Sequence, residues 1–271
     1  MKQPVFMLSD GTGITAENLG NSLITQFENI DFEKFTIPYI DTIAKAEAAV
    51  IRINQCFAET GKRPLVFITL LNPDIAKMIN ASQGYIFDLF HTFLSPLEQV
   101  LQEKSSYRIG RMHGVSNSQS YSYRIEAIDY ALTHDDGVNV RNYHKADLVL
   151  IGISRCGKTP SCIYLALHFG ILAANYPFTE EDFNSLELPA ELVDCKKKLF
   201  GLTIDPERLQ HIRHERLPNS KYASLEQCRF EVKEVEAMYE RENIPYLNST
   251  RYSVEEIATK ILAGLNIKRR F

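Results

Sequence analysis

The sequence predicts an α/β protein, an N-terminal α/β domain followed by a second α/β domain with a mostly parallel sheet. Two observations predict it. Short apolar runs rich in Val, Ile and Leu alternate with segments of helical periodicity, the pattern of βαβ units. That alternation is interrupted by a Gly-, Ser- and Asn-rich stretch between Ser105 and Asn142 and then resumes. The boundaries follow: a first domain at 1–104, a hinge segment at 105–145 and a second domain at 146–271. With 271 residues, 45% of them hydrophobic and 24% charged, the chain can bury full cores without disulfides.

Each element has its own signal. Val5–Leu8 reads as a buried strand running into Ser9-Asp10-Gly11-Thr12-Gly13. Leu19, Leu23 and Phe27 recur at i, i+4 and i+8, which predicts a helix with that stripe inward. Phe35–Ile40 reads as a strand, Ala44–Phe57 as a helix, and Leu65–Leu71 as a strand closed by Asn72-Pro73. Helices are expected at Asp74–Ala81, Pro96–Glu103 and Ser122–Leu132, the last with Ile125, Ile128, Tyr130 and Leu132 as its apolar set. Ala146–Ile153 is a buried strand, followed by a helix from Pro160 to Phe169. Ile171–Asn175, Lys198–Thr203 and Ile244–Leu247 read as further strands. Ser224 with Gln227, and Ser253 with Glu256, have capping-box spacing before apolar runs. No internal repeat is visible.

Bulk properties exclude several classes. A net charge of −4 argues against nucleic acid as the main partner. The cysteines Cys56, Cys156, Cys162, Cys195 and Cys228 form no CxxC pair and are odd in number, so a reducing compartment is expected. The N-terminal residues lack a signal peptide's apolar core, and no apolar run approaches the roughly 20 residues of a membrane span. A cytoplasmic protein with no membrane partner is the expectation.

Gly152-Ile153-Ser154-Arg155-Cys156-Gly157-Lys158-Thr159 matches G-x-x-x-x-G-K-[ST] without a gap. The glycines let backbone N–H groups approach phosphate oxygens, Lys158 reaches the terminal phosphates, and the Thr159 hydroxyl meets Mg²⁺. The following helix aims its positive end at the same anion, and Pro160 is tolerated in its first turn. The expected strand precedes the motif and the expected helix follows it, so the second domain reads as P-loop kinase-like. Arg155 adds a second cation to the cradle or simply faces solvent. Asp205, ending a strand, is the best candidate for the acidic partner such loops use, or it caps the next helix. His134-Asp135-Asp136-Gly137 offers carboxylates for Mg²⁺ or for base catalysis, or is a polar turn. Ser9–Gly13 is an anion-binding loop or a tight turn. The basic run Arg208, His211, Arg213, His214 and Arg216 closes over phosphate or is a solvated face. Arg108, Arg111 and His113 form a smaller basic cluster. There is no N-K-x-D, H-R-D or D-F-G, which argues against a GTPase switch and an ordinary protein kinase.

Longer stretches carry a resemblance over essentially the whole chain: SDGTGITAENLG at 9–20, RIEAIDYALTHDDG at 124–137, GISRCGKTP at 152–160, AANYPF at 173–178, LFGLTIDPERLQHIR at 199–213 and NSKYASLEQCRFEV at 219–232. The chain resembles the bacterial phosphoenolpyruvate synthase regulatory proteins, relatives of the pyruvate, phosphate dikinase regulatory proteins. The ending, IPYLNSTRYSVEEIATKIL at 244–262, is closer to the synthase-regulating branch. The resemblance implies a bifunctional enzyme and a homodimer. Such proteins use ADP to phosphorylate a threonine of the target, inactivating it, and reverse this with inorganic phosphate, releasing pyrophosphate. It implies phosphoenolpyruvate synthase as the protein partner and the loop 152–159 as the nucleotide site. Lys158, Arg155 and the cluster His134, Asp135 and Asp136 become its catalytic candidates. The rivals are a P-loop kinase for a small metabolite and a non-catalytic nucleotide sensor.

Overall fold

The computed structural model describes residues 2–106, 118–185, 187–268 and 270. The chain divides into two compact units, residues 1–114 and 115–271. The described part of the 105–145 segment from Ser118 onward belongs to the second unit. The basic cluster Arg108, Arg111 and His113 lies outside the described residues.

The first unit runs β1 (Gln3–Ser9), α1 (Ile14–Ile24), β2 (Phe32–Ile37), α2 (Ile43–Thr60), β3 (Leu65–Thr69), α3 (Pro73–Asn80), β4 (Tyr85–Asp88) and α4 (Leu89–Leu101). Its strands are all parallel, in the order β2-β1-β3-β4. The inner strand β1 is apolar on both faces because helices cover both. Phe6 and Leu8 face one core with Ile53 and Ile75, while Val5 and Met7 face another with Ala16, Ile24 and Leu89.

Several local expectations shift here. α1 buries Ala16, Gly20 and Ile24, whereas Leu23 and Phe27 are exposed. The reason is closeness: a Cβ on Gly20 would meet Phe67 and Met7 at 3.2–3.3 Å, so the helix seats a small residue against the sheet. β2 begins at Phe32 and stops before Pro38, which has no N–H to donate. Strand β4 has no buried apolar run; its Tyr85 and Phe87 are exposed, and the sequence reading passes over it. α4 starts at Leu89, with the Asp88 side chain accepting from His91 N, so Pro96 is interior rather than near its start.

The second unit runs α5 (Ser118–Thr133), a 3-10 turn (Val140–Lys145), β5 (Leu148–Gly152), α6 (Lys158–Phe169), β6 (Ala173–Pro177), α7 (Glu180–Ser185), α8 (Ala190–Val193), β7 (Leu199–Thr203), α9 (Pro206–Arg216), α10 (Leu225–Glu242), β8 (Tyr246–Asn248) and α11 (Val254–Gly264). Its parallel strands lie in the order β6-β5-β7-β8, the same order as in the first unit. The chain therefore repeats a topology without repeating a sequence. α5 packs on α6 through Ala127 and Ala131, while Ile125 and Leu132 of the expected apolar set point outward. Two alanines a turn apart allow close helix packing where larger residues would hold the helices apart. The Ser253–Glu256 capping box forms on both sides. Ser224 accepts from Gln227 N, but the Gln227 amide turns to Glu231.

Candidate functional site

The loop 152–159 leaves the carboxyl end of β5, between neighbours β6 and β7, the position at which open parallel sheets bind ligands. Gly152 is required by closeness: a Cβ there would lie 2.4 Å from the Leu202 carbonyl and 2.9 Å from Cys156 Sγ. Gly157, at φ 95°, and Arg155, at φ 79°, take the left-handed conformation that turns the loop into α6. Lys158 is buried, and its Nζ donates to the Gly152 and Ile153 carbonyls, each at 2.9 Å. The ammonium thus fills the hollow of the loop. Arg155 is exposed beside it. Ile153 and Cys156 point into the core, and burial pushes the Cys156 thiol up, so it is a neutral filler.

The loop is braced from behind. Tyr222 donates its hydroxyl to Ser154 Oγ at 3.1 Å, and Arg213 Nη2 donates to the Ser154 carbonyl at 3.3 Å. Arg213 is fully buried, paired with Glu231 at 2.6 and 3.1 Å, and stacked 4.0 Å from the Tyr222 ring centroid. Ser249 Oγ donates to the Cys156 carbonyl at 2.9 Å from the β8 side. The basic run therefore splits: Arg213 is a buried brace, and Arg208, His211, His214 and Arg216 are exposed.

On the β6 side lies the acidic turn after α5. Thr159 donates its hydroxyl to Asp135 Oδ1 at 2.8 Å. Asn175, fully buried on β6, donates its amide to the same oxygen and accepts from Asp136 N at 3.1 Å. Its backbone carbonyl takes Gly137 N and the Tyr143 hydroxyl, and its N–H goes to the His134 carbonyl. The turn is thereby stitched to the sheet. Asp136 at φ 49° and Gly137 at φ 75° are both left-handed, and the Asp136 side chain is exposed. His134 differs from its neighbours. Its ring is buried, stacked on Tyr130 at 3.9 Å between centroids, and Nδ1 donates to the Tyr130 carbonyl at 2.8 Å. It supports the turn rather than joining the carboxylates.

Asp135, then, and not Asp205, is the carboxylate at Thr159. Asp205 accepts from the Asn248 amide at 2.8 Å, and at the start of α9 it makes no side-chain cap bond. Ser9–Gly13, in the first unit, is closed by its own bonds: Ser9 Oγ accepts from Gly11 N, and the Asp10 carboxylate accepts from Leu71 N at 2.7 Å. Sequence reasoning missed Asn175, Tyr222, Glu231 and Ser249. For Asn175 a signal existed, a lone amide at the end of an apolar run; for the others the local sequence holds none.

A strand, a glycine loop with a buried lysine, and a helix whose first-turn hydroxyl meets a carboxylate are the parts of a P-loop phosphotransferase. The chain belongs to the kinase/pyrophosphorylase family, whose model matches residues 5–262. It is 67% identical over 270 residues to a candidate phosphoenolpyruvate synthase regulatory protein of Legionella pneumophila strain Corby, covering 100% of both chains. It is 56% identical to the correspondingly named protein of Pseudomonas fluorescens Pf0-1, again over the full length of both, and 56% identical to that of Pseudomonas aeruginosa LESB58, covering 99% of the relative. The resemblance seen in the sequence is borne out, and with it the α/β fold and an enzyme of kinase and pyrophosphorylase type.

Proposed function

We propose that the loop Gly152–Thr159 holds ADP and that the enzyme transfers its β-phosphoryl group to a threonine of phosphoenolpyruvate synthase. In the forward direction the threonine oxygen attacks the β-phosphorus, the bond to the bridging oxygen breaks, and AMP leaves. One carboxylate of the 135–136 pair takes the hydroxyl proton. In reverse, an oxygen of hydrogenphosphate attacks the phosphothreonine phosphorus, the bond from phosphorus to the threonine oxygen breaks, the same carboxylate passes the proton of hydrogenphosphate to that oxygen, and the pyrophosphate so formed is released. The observation that carries this reading is the Thr159–Asp135 hydrogen bond, which joins the acidic turn to the start of α6.

The parts have separate tasks. Backbone N–H groups at the start of α6 face the phosphates, and Lys158 exchanges two loop carbonyls for phosphate oxygens. Arg155 supplies a second cation, useful when the donor is only a diphosphate. Thr159 and Asp135 offer hard oxygen donors, which fit Mg²⁺. Among the described residues no group of three or more His, Cys, Asp and Glu side chains gathers, so phosphate and water would complete its shell. Bound there, Mg²⁺ would neutralise phosphate charge. As a regulator of a metabolic enzyme the protein acts in the cytoplasm, and its family suggests a homodimer.

The test incubates the protein with purified synthase, Mg²⁺ and either ADP or ATP, and maps phosphate by mass spectrometry. Threonine phosphate formed with ADP, and removed by inorganic phosphate with release of pyrophosphate, supports the reading. Transfer from ATP alone, or none, overturns it.

A further inference from the structure

We propose that Asn175 sorts the acidic pair: it holds Asp135 on Thr159 as the carboxylate for the cation and leaves Asp136 as the base that meets the acceptor hydroxyl. This rests on the reading of 152–159 as the ADP site. Asp135 and Asp136 are adjacent in sequence, yet their surroundings differ completely. Asp135 Oδ1 takes two donors, the Thr159 hydroxyl and the Asn175 amide. Among the described residues nothing donates to Oδ2, so that oxygen is the one presented. A carboxylate pinned in this way is oriented for a cation but poorly placed to collect a proton from a mobile substrate.

Asp136 is bound by its backbone only. Its N–H goes to Asn175 Oδ1, and its left-handed backbone, followed by left-handed Gly137, carries the side chain out of the cluster. The carboxylate is exposed, and among the described residues no hydrogen bond or ion pair is made to it. It is the carboxylate of the turn that a threonine hydroxyl on another protein can reach. One buried amide makes both arrangements: its NH₂ fixes Asp135 and its oxygen fixes the peptide of Asp136. No other neutral side chain of that size offers a donor and an acceptor at those two points. Asn175 is thus a positioning residue, Asp136 the catalytic base, and Asp135 a cation ligand.

The experiment uses the full-length protein, with Mn²⁺ in place of Mg²⁺, and measures two things. Mn²⁺ binding to the protein–ADP complex is followed by electron paramagnetic resonance, and turnover is followed in both directions with purified synthase. Asp136→Asn should lower kcat by roughly 10²–10⁴-fold both ways with Mn²⁺ affinity unchanged. Asp135→Asn should weaken Mn²⁺ binding. Asn175→Leu should weaken it by about 10–100-fold, and adding Asn175→Leu to Asp135→Asn should weaken it no further, because Asn175 acts through Asp135. A thermal melt checks folding, and Asn175→Ala replaces Asn175→Leu if the latter does not fold. Retained turnover in Asp136→Asn, lost Mn²⁺ binding in Asp136→Asn, or additive losses in the double variant would each overturn the sorting. Lys158→Ala separates the two levels. If it binds ADP as the wild type does, the nucleotide-site reading itself falls. If it loses ADP while the two Asp variants behave alike, the sorting alone falls.

Discussion

The brace behind the loop offers a direct test of how the fold supports the site. Glu231→Ala leaves the Arg213 guanidinium charged and buried, with the Tyr222 and Ser154 carbonyls and the Tyr222 ring as its remaining partners among the described residues. Removing one partner of a buried ion pair costs about 3–5 kcal/mol, because the remaining charge stays desolvated. At roughly 2–4 °C per kcal/mol for a domain of this size, the melting temperature of the second unit should fall by about 6–20 °C. The double variant Arg213→Met/Glu231→Leu removes both charges and fills similar volume, so it should recover most of that loss. It should bind ADP more weakly than the wild type, since with Arg213 replaced Ser154 loses its Arg213 bond and the ring of Tyr222 loses its stacking partner. Calorimetry and ADP titration on the three proteins decide the matter. A fall of less than about 2 °C in the single variant, or a double variant no more stable than the single, would refute the claim that the pair's energy lies in mutual compensation.

Three more outcomes are expected. Lys158→Ala should reduce both directions by at least roughly 10²-fold, since both pass charge through the same cradle; initial rates with ADP and with phosphate check it. Gly152→Ala should destabilise the second unit by about 1–3 kcal/mol, because its Cβ would force β5 from the Leu202 carbonyl of β7; a denaturant melt reads this. Burial raises the Asp10 carboxyl above its ordinary 3.8. A raised folded pKa means the folded state holds its proton longer, so stability falls as pH climbs from about 3.8 through the folded value. Asp10→Asn keeps an acceptor for Leu71 N and should raise the first unit's melting temperature at pH 7, with the gain gone at pH 3; equal gains at both pH values would contradict the burial argument.

The parts of the site legible in the sequence are those made by contiguous residues. Gly152, Gly157, Lys158 and Thr159 announce themselves because phosphate binding by backbone N–H groups demands them in one run. The acidic partner was harder. A carboxylate ending the next strand is the usual place to look, and Asp205 stands there, but Asn248 occupies it. Asp135 reaches Thr159 from the opposite side, through a turn that precedes the P-loop strand in the chain. Asn175 and Arg213 were legible only as residue types out of place, an amide in an apolar strand and an arginine in a basic run. Their meaning is set by partners 40 and 18 residues away, which no local pattern encodes. Apart from β4, the order of the strands followed from hydrophobic runs, whereas the inward faces of α1 and α5 did not. Close packing there chose Gly20, Ala127 and Ala131 over the larger residues that dominate a periodicity count.

The two units with one strand order also bear on how the protein is made. Every strand and helix of the first sheet lies before residue 102, so its core is complete in sequence while the nucleotide loop has yet to be translated. At roughly 5–20 residues per second, residues 115–271 take about 8–30 s to emerge from the ribosome. Mixed α/β domains fold well within that time. The nascent chain therefore holds every strand and helix of its N-terminal sheet before the first phosphate-binding glycine is joined to it.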